Sequence, residues 1–370
     1  MSFIKSTETG LVYRGEGAPI HLRQAYFPSA VELPHGELAV SMDVGGNMDD
    51  PRMRSFLCRS ANGGKSWSPP ALIFDPGPES GPVSTLCRTS LDSKGALLAL
   101  VTSIDRSSAV AALGNPETDG YPDTRFILLR SQDGGLAWSE PAAIQPPLDW
   151  NVYETCSPIL DLGGERWLLP TSTFRNWKGA CTMGMKAVAF MSKDGGRTWT
   201  DTAVVMDRWK DRIASWEQKQ TLLSDGRLLA TCWAYDYGKR KSLKNGYSFS
   251  RDRGGSYGPA LESPLWGETC TPLGLDDNHI LCVYRRTDTR GLWGHLARLE
   301  GDKWIPLADE PLWGTETYSY VRKSASMLEE MTTLQFGYPS VIKLSSGKVL
   351  VTFWCVEDAI SSIRWIEVGF

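Results

Sequence analysis

Three glutamates, Glu154, Glu217 and Glu268, and one tyrosine, Tyr338, occupy near-equivalent places at the start of successive strand-like segments. If those segments converge in space, the carboxyls crowd together. Two facing carboxyls are the equipment of glycoside hydrolysis, set about 5–5.5 Å apart in retaining enzymes. A phenol, with an ordinary pKa of about 10, needs a neighbouring carboxylate before it can react. Arg88 and Tyr26 start two further segments, with Phe27 beside Tyr26. Arg106, Arg175, Arg285 and Arg286 lie in the turns beyond the hairpins, as do Asp43, Asp236, Glu357 and Asp358, and Arg23 lies just upstream of Tyr26. Guanidinium forks suit carboxylate groups, so these residues are candidates for holding a substrate.

What must position them is a set of hairpins. Phe27–Gly36, Leu86–Gly95, Cys156–Gly164, Glu217–Gly226, Thr269–Asn278 and Tyr338–Gly347 each precede a second apolar run. Short runs of aliphatic and aromatic residues closed by Gly, Asp or Pro read as strands. Six such units in 370 residues leave about 60 residues each, more than the about 40–50 of a four-stranded propeller blade. The surplus falls in polar stretches over one face, at 43–53, 103–124, 175–181 and 313–334. Met327–Met331 reads as one helical turn.

A second repeat lies between the later strands. Ser192-Lys193-Asp194-Gly195-Gly196-Arg197-Thr198-Trp199 recurs at 131–138, at 60–67 with Asn62 for Asp, and at 250–257 with Tyr257 for Trp and one inserted residue. Asp and Asn cap turns through their own backbone, and glycine supplies positive φ. The aromatic positions are 71, 61 and 58 residues apart, the mark of a repeat architecture. Glu300–Trp304 is a remnant of the pattern, and Gly10–Arg14 is expected to supply the outer strand of the last blade, closing the ring.

The S-x-D-x-G-x-x-W pattern resembles the Asp box, or BNR repeat, of the sialidase superfamily. The resemblance implies a single six-bladed β-propeller over residues 1–370. Ser215–Gly226 is similar to the family segment whose Glu polarises a Tyr nucleophile, and Phe336–Ser340 looks like the segment carrying that Tyr. This implies Glu217 as base and Tyr338 as nucleophile, with Asp49 or Asp50 as acid/base on the loop after the first hairpin. The family's three arginines are not matched. Tyr26 stands where the first belongs and Trp233 where the second belongs. The expected substrate is therefore a terminal sugar other than an ordinary sialoside. Without a substrate carboxylate, Glu154 with Glu217, or Glu217 with Glu268, would serve as the pair, an alternative that six-bladed exo-arabinanases resemble.

A non-catalytic sugar-binding propeller is the competing reading. A polysaccharide lyase using His21 or His295 is a third; His35 and His279 fall in hairpin turns. The net charge of −4 speaks against nucleic acid or an anionic membrane surface as partner. Fifteen Trp, 12 Tyr and 11 Phe suit a β-core first and a sugar cleft second. The eight cysteines form no CxxC pair, so no metal site is expected, and no cofactor. Apolar surroundings, as in Leu281-Cys282-Val283, read as reduced core thiols. Met1–Gly10 is polar, and no long apolar run follows, so a cytoplasmic location is expected.

Overall fold

A computed structural model describes residues 4–107, 112–315 and 334–370. The opening strand, β1 (Lys5–Tyr13), belongs to the last blade. Blade 1 is β2 (Gln24–Glu32), β3 (Leu38–Gly45), β4 (Arg54–Ser60) and β5 (Ala71–Leu72). Blade 2 is β6 (Val83–Leu91), β7 (Leu97–Asp105), β8 (Thr124–Ser131) and β9 (Ala142–Ile144). Blade 3 is β10 (Leu160–Asp161), β11 (Trp167–Ser172), β12 (Ala187–Ser192) and β13 (Asp201–Met206). Blade 4 is β14 (Ile213–Leu222), β15 (Leu228–Asp236), β16 (Lys241–Ser250) and β17 (Leu261–Glu262). Blade 5 is β18 (Gly267–Gly274), β19 (His279–Arg286), β20 (Leu292–Glu300) and β21 (Lys303–Trp313). Blade 6 is β22 (Phe336–Lys343), β23 (Val349–Glu357) and β24 (Ile360–Gly369), completed by β1. Each sheet is a four-stranded antiparallel meander, and together they form a six-bladed β-propeller.

The ring is closed twice. β1 pairs with β24 from Lys5↔Gly369 to Tyr13↔Ile363, so the first strand of the chain shields the last. The outer strand thus spans Lys5–Tyr13 rather than Gly10–Arg14. At the hub, a circuit of hydrogen bonds joins every blade to the next. Ser29 Oγ donates to the Thr89 carbonyl at 3.0 Å and Thr155 Oγ1 bonds Thr102 Oγ1. Ser157 Oγ donates to the Gln218 carbonyl at 2.9 Å, and Lys219 Nζ to Thr271 Oγ1 at 2.8 Å. Thr271 Oγ1 donates to the Pro339 carbonyl at 2.6 Å, and Ala30 N to Ser340 Oγ at 3.0 Å. Between the blades lie apolar layers, such as Leu168, Ala189 and Ala230 between blades 3 and 4.

The Asp boxes join the third and fourth strands of blades 1 to 4. In the third box, Gly196 N donates to Ser192 Oγ at 2.8 Å, while Asp194 Oδ1 accepts from Arg197 N at 3.0 Å and Thr198 N at 2.9 Å. Gly196 sits at φ +79°, and a Cβ there would lie 2.6 Å from the Trp167 ring, so only glycine fits. The fourth box carries no insertion: Gly254 N meets Ser250 Oγ and Ser256 N meets Asp252 Oδ1, as in the others. Arg253 replaces the first glycine and takes its positive φ of 60°. The boxes lie at the C-terminal ends of the third strands, opposite the face where the innermost strands begin.

Helix is confined to three 3-10 turns at Ile20–Leu22, Pro78–Ser80 and Trp209–Asp211 among the described residues. The helical turn expected at Met327–Met331 lies outside them. No helix among them is long and apolar enough to cross a membrane. The innermost strand expected from Cys156 pairs only at Leu160–Asp161, because a register change separates it from the Tyr153↔Thr173 bridge. All eight cysteines are free thiols, and only Cys181 is partly exposed.

Candidate active site

The innermost strands of blades 1, 4, 5 and 6 share one defect. Each ladder slips by one residue, between Tyr26 and Ser29, Trp216 and Lys219, Glu268 and Thr271, and Gly337 and Ser340. The extra residue is Phe27, Glu217, Thr269 or Tyr338, each with φ of 50–51°. A β-bulge re-aims side chains, and a non-glycine residue held in this region stores strain that marks functional sites. Proline cannot donate to a ladder and tolerates bulges, and Pro28 and Pro339 follow two of these residues. The bulges turn their side chains toward a cavity of about 200 Å³ at the start of the innermost strands.

Glu154, Glu217 and Glu268 all line this cavity, brought together from blades 3, 4 and 5. Glu154 Oε2 accepts the main-chain N–H of Glu217 at 2.6 Å, and Glu217 Oε2 accepts that of Thr269. Tyr338 N then donates to Thr269 Oγ1 at 3.3 Å. The bulges of blades 4, 5 and 6 are therefore each held by a side chain of the blade before it. Glu268 forms an ion pair with Arg285. Burial pushes Glu154 up to about 7. Burial, then repulsion from Glu268 and Glu154, pushes Glu217 up to about 8, against the pull of Arg285. These are causes that keep a carboxyl protonated near neutral pH.

Tyr338 also lines the cavity, at 5% exposure. Its hydroxyl accepts from Arg88 Nε at 2.5 Å and meets the Cys156 and Thr155 carbonyls, the latter at 3.3 Å. It makes no hydrogen bond to Glu217 among the described residues. Burial raises its pKa well above the ordinary value, and Arg88 opposes this. Arg88 is paired with Asp43 at 2.9 Å, both almost fully buried. Burial pushes Asp43 up to about 6 against that pairing.

Arg106, Arg285, Arg286, Trp233 and Asp50 line the cavity as well. Asp50 is turned to its own loop: Oδ2 accepts from Gly46 N at 2.6 Å and Oδ1 from Arg52 N at 2.8 Å. Arg286 is paired with Asp288 and stacks 4.5 Å from the Trp293 ring centroid. Arg106 Nη2 donates to the Asp49 carbonyl at 2.6 Å.

Four expected site residues are placed elsewhere. Arg23 is exposed and donates to the Ala18 carbonyl at 3.1 Å. Tyr26 is core, edge-on to Trp354 at 5.4 Å. Arg175 stacks against Tyr237 at 4.5 Å, away from the cavity. Asp49 does not line it; burial raises its pKa while Arg106 lowers it. Neither histidine considered for a lyase lines it. His21 is exposed, and His295 is buried on β20, accepting from Trp304 Nε1 at 3.0 Å.

Sequence reasoning missed Lys219. This lysine is buried, donates to Thr271 Oγ1 and the Pro339 carbonyl, and lies 4.0 Å from the Tyr338 ring centroid. Burial lowers its pKa to about 8. It also missed the aromatic wall of Tyr121, Tyr153, Phe174, Trp216 and Trp354. The Phe-Pro-Ser and Tyr-Pro-Ser echo at 27–29 and 338–340 was the available signal for the bulges.

A family model described as a BNR repeat-like domain matches residues 19–351. No curated protein matches the chain in sequence. Among solved structures, a protein of unknown function from Dyadobacter fermentans superposes with a TM-score of 0.72 at 18% identity, covering 100% of both chains. A mutant of the NanB sialidase from Streptococcus pneumoniae gives 0.69 at 13% identity, covering 98% of this chain and 71% of that one. An α-L-arabinanase from Penicillium chrysogenum, complexed with arabinobiose, gives 0.64 at 15%, covering 98% of each. At these identities the likeness is one of fold.

Proposed function

The chain belongs to the BNR repeat-like domain family, and from there we propose that it is an exo-acting glycoside hydrolase. It would remove a terminal sugar, other than an ordinary sialoside, from an oligosaccharide or glycoconjugate. The observation that carries this reading is the meeting of Glu217 with Glu268 in one cavity. Glu217 is pushed up to about 8 by burial and by its neighbours, whereas Glu268 is ion-paired with Arg285. A carboxyl held protonated beside one that is ion-paired can serve as a proton donor. Glu217 donates a proton to the departing glycosidic oxygen. Glu268, paired with Arg285, faces the positive charge that develops at the anomeric carbon, to which a water then adds, losing its proton to solvent.

Two features narrow the substrate. The cavity, at about 200 Å³, is smaller than the roughly 300 Å³ or more that holds a drug-sized ligand. It suits one sugar ring, hence removal from a chain end. Arg88, Arg285 and Arg286 are each tied to an acidic neighbour, so they form no ready clamp for a substrate carboxylate. The carboxyl pair is preferred to a tyrosine nucleophile because the Tyr338 hydroxyl is engaged by Arg88 and main-chain carbonyls.

The test is turnover of a panel of 4-nitrophenyl glycosides, neutral pentosides and hexosides beside a sialoside. Release from a neutral glycoside supports the reading; release from the sialoside alone overturns its substrate class. A second reading, a non-catalytic sugar-binding propeller, draws on the bonds that Glu154 and Glu217 make to main-chain N–H groups, which tie blades together without any chemistry. Calorimetric binding of a free sugar with no turnover of any glycoside would favour it.

A further inference from the structure

We propose that Tyr338 is a positioning residue that aims Arg88 at the bound sugar, rather than a nucleophile. This rests on the reading of the cavity as a sugar site. Four residues from four blades form a chain. Asp43 of blade 1 holds Arg88 Nη1 at 2.9 Å. Asp43 is itself held by Ser55 Oγ at 2.7 Å and Cys87 N at 2.9 Å. Arg88 of blade 2 turns Nε to the Tyr338 hydroxyl of blade 6 at 2.5 Å. That hydroxyl donates to the Cys156 carbonyl of blade 3. Arg88 Nη1 also donates to the Phe27 and Cys87 carbonyls. Among the described residues Nη2 alone of its nitrogens carries no hydrogen bond, and Arg88 lines the cavity.

The chemistry of the hydroxyl separates the two roles. A nucleophilic phenol must hand its proton to a base. Here the acceptors at the O–H are two main-chain carbonyls, which take no proton. One lone pair of the hydroxyl oxygen accepts from Arg88 Nε. The arrangement instead fixes a guanidinium from both sides, Asp43 on one nitrogen and the phenol on another. A planar fork held in this way offers its remaining nitrogen to a ring oxygen or hydroxyl of a sugar at no further ordering cost. The strained backbone of Tyr338 belongs to the repeated bulge. Phe27, in the matching place of blade 1, has the same φ of 50° and lies edge-on to Tyr338 at 5.4 Å. The Phe27 ring has no hydroxyl, so the conformation needs no nucleophile to account for it.

The experiment pairs Tyr338→Phe, Arg88→Lys and the double variant, assayed on the best substrate of the 4-nitrophenyl panel. Tyr338→Phe is expected to raise KM about tenfold with kcat within about threefold, since binding rather than chemistry is lost. The double variant should be no worse than the weaker single one, because the two residues act as a unit. Wild-type enzyme treated with the 2-deoxy-2-fluoro glycosyl fluoride of the same sugar and mapped by peptide mass should carry no label on Tyr338. A label there, a kcat loss of about a thousandfold in Tyr338→Phe, or strictly additive effects overturns the proposal. The labelling needs no variant, so it decides the matter even where Tyr338→Phe fails to fold. If no glycoside turns over, the hydrolase reading fails by itself. Calorimetry with the free sugars then still tests the role of Tyr338: weaker binding by Tyr338→Phe supports it, and equal binding overturns it.

Discussion

The main-chain N–H of Glu217 donates to Glu154 Oε2 at 2.6 Å. One carboxyl of the cavity therefore sets the backbone that carries the next. Glu217 repeats the act on Thr269, and Thr269 Oγ1 on the N–H of Tyr338. This relay lets four neighbouring blades aim side chains at one point. It also couples the protonation of Glu154 to the conformation of Glu217.

The pH dependence of turnover follows from Glu217. As proton donor with a pKa pushed up to about 8, it gives a kcat/KM that falls above that pH. Glu268 repels its charged form and Arg285 favours it. Glu268→Gln should therefore move the basic limb to lower pH, and Arg285→Gln should move it higher. Pre-steady-state or initial-rate profiles read out the limb independently of how much activity each variant keeps.

Folding stability should fall as pH rises from about 5 to about 8. Glu154 and Glu217 rise from an ordinary 4.5 to about 7 and about 8, so across that window the folded state holds more protons than the unfolded one. Stability then falls as pH rises, being complete below the unfolded value. Lys219 moves oppositely, from 10.5 down to about 8. Its unfolded form holds the extra proton between those values and so favours folding as pH climbs, but burial raises the thiols of Cys58, Cys87 and Cys355 above their ordinary 9.0, and these oppose that gain. The loss should run steadily between about pH 5 and pH 8. Urea denaturation at each pH measures it, and Glu217→Gln should flatten the acid-side slope.

The Asp boxes should matter for the fold and not for the chemistry. Asp194→Ala removes the acceptor for Arg197 N, Thr198 N and Thr198 Oγ1, leaving turn donors to water. Tm should drop by a few degrees while kcat and KM stay at wild-type values, because the box lies at the far end of its blade. A changed kcat in Asp194→Ala would put the box in the site.

The propeller was legible because its signals are local. Ser192, Asp194 and Gly196 bond one another within five residues, so the turn is written where it occurs. The closing strand could be read from an unmatched apolar segment, though its pairing starts at Lys5. The site was legible only in part. Glu154, Glu217, Glu268, Tyr338 and Arg88 stand in near-equivalent places toward the starts of their strand-like segments, and the ring gathers them. Tyr26 met the same criterion, Arg23 lay just upstream of it and Arg175 in a turn beyond a hairpin, and all three face elsewhere, because a place near a strand end does not say which way a side chain turns. Lys219 was passed over since its partners, Thr271 and the Pro339 carbonyl, come from two other blades. The pairing of Arg88 with Asp43 was hidden for the same reason.

Glu217 gives its proton to the leaving group, and a leaving-group series with Glu217→Gln is the sharpest test of that step. For the panel's best sugar joined to an alkyl alcohol, kcat/KM should fall about a thousandfold or more. For the same sugar joined to 2,4-dinitrophenol, which departs without a proton, the loss should be far smaller. Equal losses on both, or wild-type turnover of the alkyl glycoside, would contradict Glu217 as the proton donor.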